Sequence, residues 1–217
     1  MDSEIISVER MRKSDAYAIE HFVPSKELMY RAAKGVYDSY HEWKDKKIAI
    51  VVGGGNNGGD GYALAGILKE NGSDPVVIKV SDKMSDDGKY YCDIALERGT
   101  QIVPYMEDTD LGKYDIIVDC ILGTGFVGDV RGTAAKAIDA INNSGAYVIS
   151  VDINSGMNGD TGEASVAVRS DLTVSIGYIK TGLVTESARR YIGKLVNADI
   201  GIVLVQADPT TTPIPEM

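Results

Sequence analysis

Four stretches of the chain, KKIAIVV (46–52), PVVIKV (75–80), DIIVDCIL (115–122) and AYVISVDI (146–153), are rich in apolar and β-branched residues without regular polar alternation. A strand with one wet face alternates with period two. A run lacking that alternation reads as buried on both faces, as strands of parallel sheets are. Parallel neighbours need long crossovers, and helical patterns fill the gaps at 61–70, 85–98 and 133–141. Asn71-Gly72, Gly99 and Asn143-Ser144-Gly145 supply their stops. Runs at 102–105, 172–177 and 194–203 complete the strand set, and Pro104 puts the first at an edge or strand end. Two helices come first, over 7–21 and 25–43. In the second, Leu28, Ala32 and Val36 repeat at i, i+4, i+8. The expected class is α/β, a parallel sheet with helices on both faces. Residues 1–207 read as one domain, and the Pro/Thr-rich stretch 208–217 as a tail.

Ligands of such sheets sit beyond the carboxyl ends of the strands. Three polar, glycine-rich segments end strands here: GGGNNGGDG after 46–52, GTGFVGDVRG after 115–122 and NSGMNGDTG after 146–153. All three should face one crevice. The first contains G-x-G-x-x-G at Gly53, Gly55 and Gly58, between a strand and a helix, as a dinucleotide loop requires. Glycines let the backbone approach a pyrophosphate, and the helix N-terminus offers free N–H groups and a positive dipole. No Lys-Ser/Thr pair follows, so this is not a P-loop. A tight strand-to-helix turn without a ligand is the plainer alternative.

Charge narrows the partners. The formal net charge is −10, and the densest basic group is Lys44, Lys46 and Lys47 with Asp45 inside it. Nucleic-acid binding needs a basic patch, so it is not expected. No run is long and apolar enough to span a bilayer, and the N-terminus shows no apolar signal core. With Cys92 and Cys120 as the only cysteines, a reducing cytoplasm is the expected setting. Both thiols read as buried structural residues, and His21 and His41 as surface or interface residues of the leading helices. The acid–base candidates are therefore Asp60, Asp119, Asp129 and Asp152. Asp119 and Asp152, at strand ends, read either as turn-initiating acids or as site residues. With Asn57 and Ser155 they form an oxygen-only set, suited to a hard cation rather than zinc.

VVGGGNNGGDG (51–61), VDCILGTGFVGDVRG (118–132) and VDINSGMNGDTG (151–162) closely resemble the three signature segments of the NAD(P)H-hydrate epimerases, the YjeF N-terminal domain family. Leu28-Met29 before an alanine-rich stretch, and the region around Lys180 and 199–202, resemble it too. The resemblance implies a Rossmann-like three-layer αβα sandwich with a mostly parallel central sheet and two extra N-terminal helices. It implies a homodimer that epimerises C6 of the hydrated nicotinamide ring in NADHX and NADPHX, the hydrates of NADH and NADPH. By position, the substrate-binding residues would be Asn56, Asn57, Gly58, Gly59 and Asp60, then Gly123, Thr124, Gly125, Phe126, Val127, Gly128 and Asp129, with Asp152. Asn57, Asp119 and Ser155 would hold a potassium ion. Gly54 and Asn154 stand where the family usually has proline, so two turns lack that pre-setting residue.

Inversion at C6 needs no redox step. Hydroxide leaves with help from the ring nitrogen, and water returns on the other face. Asp152 is the leading expected proton donor and Asp60 the second. A chain of this length accommodates one such domain, so the partner dehydratase is expected as a separate protein. Two alternatives differ in class. A non-catalytic scaffold of the same fold would tend to lose the carboxylates. A nicotinamide-dependent dehydrogenase would use Asp82 as its ribose acid. An acidic protein holding an anionic dinucleotide should rely on loop N–H groups, a helix N-terminus and a cation.

Overall fold

The computed structural model describes residues 4–206, so the expected tail at 208–217 lies outside the described residues. The chain runs β1 (Ile5–Ile6), α1 (Val8–His21), α2 (Ser25–Ser39), β2 (Ile48–Val52), α3 (Asn56–Glu70), β3 (Val76–Lys79), α4 (Asp86–Glu97) and β4 (Gln101–Pro104). It continues through β5 (Ile116–Cys120), α5 (Gly132–Asn142), β6 (Tyr147–Val151), β7 (Ser170–Ile176), β8 (Ile179–Lys180) and β9 (Ile192–Ala198). Seven strands form one sheet in the order β4-β3-β2-β5-β6-β7-β9, and every pairing in it is parallel. Strand order reverses between β2 and β5. That is the switch point beyond which a crevice opens at the strand ends.

The sheet separates two apolar layers. On one face α1 to α4 pack over Ile48, Ile50, Val52, Val118 and Val174. On the other, α5 covers Ala49, Val51 and Ile117. A third cluster, with Ile153, Met157, Leu183 and Tyr191, packs against Leu195. β2 and β5 are buried at every position, as their unbroken apolar patterns require.

Several boundaries differ from the sequence reading, each for a physical reason. α3 begins at Asn56, not at 61, so most of the glycine loop is helix. A Cβ on Gly58 would lie 2.1 Å from the Gly53 carbonyl oxygen, and one on Gly53 would lie 1.9 Å from that of Ile121. The glycines are there to let a helix press onto its strands, and that packing overrides their poor helix propensity. α2 ends at Ser39, not at 43, because Tyr40 is extended and the chain turns Trp43 back into the core. Its indole Nε1 donates to the Tyr37 carbonyl at 2.9 Å. His41 therefore lies beyond the helix. β6 stops at Val151, and Asp152 has a left-handed backbone, φ +69°. β9 stops at Ala198, leaving 199–203 outside the sheet. The short parallel pair β1–β8 has no sequence signal, being only two residues long on each side.

Candidate active site

A cavity of about 740 Å³ opens at the switch point. That lies within the size of small-molecule sites. The N-terminus of α3 lines it through Gly54, Gly55, Asn56 and Asn57, and one turn later Asp60 presents its carboxyl to the same space. The loop after β5 contributes Gly123, Thr124, Gly125 and Phe126, and the end of β6 contributes Asp152. α1 and β8 complete the wall with Asp15 and Lys180.

Lys180 is only 1% exposed. Its ammonium forms an ion pair with Asp152, donates to the Ile176 carbonyl at 2.7 Å, and reaches Ser175 Oγ at 3.3 Å. Asp15 and Asp60 have no such partner: neither carboxyl accepts a hydrogen bond among the described residues. Burial, then the nearby Asp152 and Asp15 charges, push the Asp60 carboxyl well above the usual range, against the opposing pull of Lys180. Asp15 is pushed up to about 7 by burial and by Asp152, again against Lys180. The cavity thus sets two carboxyls raised above the usual range beside the lysine-paired Asp152.

The three residues expected to hold a cation meet at one point. Asn57 Nδ2 donates to the Leu122 carbonyl at 2.9 Å, and Ser155 Oγ approaches the same oxygen at 3.1 Å. Ser155 Oγ also hydrogen-bonds the Asp119 carboxylate. Asp119, fully buried, further accepts from Ser155 N at 2.9 Å, Ser150 Oγ at 2.8 Å and Ile121 N at 3.3 Å. Burial raises its carboxyl above the usual range, and these four donors oppose the rise. Sequence position pointed Asp119 toward the crevice. Its register with Val51, Ser150 and Thr173 puts it on the α5 face of the sheet instead. Asn57 Oδ1 is buried with no hydrogen-bond partner. An orphaned buried acceptor is costly, and a cation would satisfy it. Among the described residues no group of three or more His, Cys, Asp or Glu is placed to hold a metal. A cation here would therefore rest on amide, hydroxyl and carbonyl oxygens with a single carboxylate, a donor set that fits a hard cation.

The other expected positions divide. Gly58 and Gly59 are buried packing positions of α3 rather than cavity wall. The 123–129 stretch spans two cavities. Phe126, Gly128 and Asp129 line a second, of about 500 Å³, with Asn158, Glu163 and Arg190. Asp129 accepts from Ser165 Oγ at 3.0 Å, and Val127 is 82% exposed. His21 and His41 are exposed and line neither cavity, and Cys92 and Cys120 are buried. Asp82 is exposed, paired with Lys79 at 3.2 Å, and outside both cavities, which removes the ribose acid of the dehydrogenase reading.

Asn154 compensates for the proline expected at its position. Its Nδ2 donates to Tyr191 O at 2.9 Å and to Val168 O and Ser170 Oγ at 3.0 Å, while Thr173 Oγ1 donates to its Oδ1 at 2.7 Å. Four bonds from one fully buried amide fix the turn that a pyrrolidine ring would have pre-set. Asn154→Pro should accordingly destabilise the protein by about 2–3 kcal/mol in urea unfolding, because those partners lose their bonds inside the core. An unchanged midpoint would show that the network contributes nothing.

The sequence reading missed Asp15 altogether and placed Lys180 only within a resembling stretch. The 7–21 pattern offered no motif at Asp15. A lysine within a mixed-polarity stretch looks like a surface residue.

Known proteins resemble this chain in sequence and in fold. The family model described as YjeF-related protein N-terminus matches residues 25–182. A protein named NAD(P)H-hydrate epimerase from Oenococcus oeni is 38% identical over 209 residues, covering 93% of this chain and 99% of that protein. One of the same name from Limosilactobacillus fermentum is 36% identical over 203 residues, 92% of this chain and 98% of its own. The crystal structure of yeast ynu0 superposes with a TM-score of 0.71 at 23% identity over 82% of each chain, a likeness of fold. With a matching family model over most of its length and relatives this similar along nearly their whole lengths, the chain belongs to the YjeF-related N-terminal domain family.

Proposed function

We propose that this protein is an NAD(P)H-hydrate epimerase, an isomerase that interconverts the R and S forms of NADHX and NADPHX at C6 of the hydrated ring. One observation supports it above the rest: a dinucleotide-sized crevice holds two carboxyls raised above the usual range, Asp15 and Asp60, beside the Lys180-paired Asp152. A scaffold would have no use for carboxyls held at such electrostatic cost.

In this reading Asp60 is the proton donor and Asp152 is not, which reverses the order expected from sequence. Asp60 gives its proton to the C6 hydroxyl as the C–O bond breaks, and water leaves. The ring nitrogen lone pair forms the C=N bond of a planar iminium. Asp152 offsets that positive charge, with Lys180 fixing its orientation. Water then adds to the opposite face and gives up a proton to solvent, and Asp60 is reprotonated from solvent. Asp15, close enough to raise the Asp60 carboxyl, helps keep that proton bound. Positioned proton transfer of this kind contributes about 10²–10⁴-fold.

Asn57, Asp119 and Ser155 would hold potassium, whose charge would offset that of the anionic substrate. Cytoplasmic location, a homodimer and a separate dehydratase acting on the same hydrates belong to this reading as well. No helix among the described residues is long and apolar enough to cross a membrane.

The test is chromatography of both epimers after incubating the purified protein with R-enriched NADHX. Equilibration of the two forms is expected, and an unchanged R excess would refute the assignment. In parallel, potassium should raise the thermal midpoint more than sodium or magnesium, and Asn57→Ala should remove the difference. Equal midpoints in all three salts would eliminate the potassium site.

A further inference from the structure

The substrate class in the proposed function is anionic, yet the cavity wall is acidic. Asp15, Asp60, Asp87 and Asp152 line it, against two basic residues, Arg12 and Lys180. Lys180 is already used: it is buried and engaged by Asp152, the Ile176 carbonyl and Ser175. Arg12 is in the opposite condition. It is exposed, and its Nη2 donates to the backbone carbonyl of Thr124. Among the described residues its guanidinium has no carboxylate partner. One of five N–H donors is therefore committed, to a neutral acceptor, and the positive charge is uncompensated.

The position of this charge matters as much as its freedom. Thr124 belongs to the loop after β5, which lines the cavity together with the α3 N-terminus. Arg12 is anchored on that loop, so one cavity presents both a guanidinium and the unpaired N–H groups of α3's first turn. Gly55 is the N-cap of that helix and caps it with no side chain. A helix N-terminus favours a pyrophosphate, and a guanidinium fork matches two phosphate oxygens at once. Lysine supplies the charge without the fork. Residue 12 lies outside the 25–182 stretch that the family model matches.

We propose that Arg12 is a substrate-recognition residue that binds the pyrophosphate bridge of the dinucleotide together with the α3 N-terminus. The proposal rests on the dinucleotide reading above, but not on catalysis. Arg12 holds the substrate and takes no part in proton transfer, so its loss acts on binding. The bridge is common to NADHX and NADPHX, so both should be affected alike. The ion pair formed is exposed to solvent and should weaken as salt rises.

The experiment compares wild type, Arg12→Gln and Arg12→Lys. KM and kcat are measured for both hydrates, and the affinity for ADP-ribose, which keeps the bridge but lacks the reacting ring, is measured by calorimetry. Arg12→Gln should raise KM about tenfold for both substrates and weaken ADP-ribose by a similar factor, with kcat within about twofold. Arg12→Lys should recover part of the loss. Unchanged ADP-ribose affinity would overturn the proposal. So would a loss confined to NADPHX, which would place Arg12 on the 2′-phosphate, or a fall in kcat at constant KM, which would make it only a support for the Thr124 loop. Should the wild type bind ADP-ribose without epimerising either hydrate, the catalytic reading fails, while the calorimetry still decides the role of Arg12.

Discussion

Replacing Asp60 by asparagine should lower kcat by about 10²–10⁴-fold while leaving KM near its wild-type value. The amide keeps the shape of the carboxyl but has no acidic proton to give. The same change should make the protein more stable at pH 8. The Asp60 and Asp15 carboxyls are raised, so the folded protein binds their protons more tightly than the unfolded chain does. For Asp15 that contribution is full below about pH 4 and is lost as pH rises through about 7. Above that pH the cavity carries buried charge that an amide would remove. Asp15→Asn is expected to gain on the order of 1–2 kcal/mol at pH 8 and nothing at pH 4, and Asp60→Asn to shift stability in the same direction. Loss of turnover with a raised thermal midpoint cannot be ascribed to misfolding. Wild-type activity should fall on the alkaline side as Asp15 and Asp60 give up their protons. The Asp15 charge raises the Asp60 carboxyl, so the fall belongs to the two together rather than to one residue. Normal turnover in Asp60→Asn would return the donor role to Asp152.

Lys180→Met should destabilise the fold by about 3–5 kcal/mol, the usual cost of removing one partner from a buried ion pair. The ammonium is nearly inaccessible to water, and Asp152 would be left beside two further carboxyls with nothing to oppose them. The effect should be repaired by the Lys180→Met/Asp152→Asn double variant, which removes both charges. Asparagine tolerates the left-handed backbone at 152, so that repair costs little strain. Urea unfolding of the four proteins forms a double-mutant cycle. A single Lys180→Met variant as stable as wild type would show that the pair carries no weight. Asp152→Asn alone should stop epimerisation, because the iminium would lose its counter-charge.

How much of this was legible in the sequence depends on the distance over which each signal acts. β2, β5 and β6 were readable because burial on both faces leaves an unbroken apolar run. The crevice was readable because Gly53, Gly123 and Asp152 each follow a strand and parallel topology brings such ends together. The start of α3 was misread because helix propensity weighs each glycine alone, whereas Gly58 owes its place to a carbonyl 2.1 Å from where its Cβ would be. Asp15 and Lys180 escaped because each acquires its chemistry from partners far along the chain. Asp152 is 28 residues from Lys180, and only the fold makes them a pair. Asn154 was read through the proline it replaces, and its four hydrogen bonds reach as far as Tyr191.

The docking of α1 sets an order on synthesis. Val8 N donates to Asp160 Oδ1 at 2.7 Å, Arg10 Nε to the Val205 carbonyl at 3.1 Å, and Arg12 to the Thr124 carbonyl. An early helix thus takes a partner 195 residues further along the chain. Until then its apolar stripe, with Met11 and Ala18, has no complete surface to cover. The nascent sheet can assemble strand by strand, but the wall that carries Asp15 closes only once the segment around Val205 is available. A chain stalled before residue 200 should hold a glycine loop and its carboxylates in an open, unproductive trough.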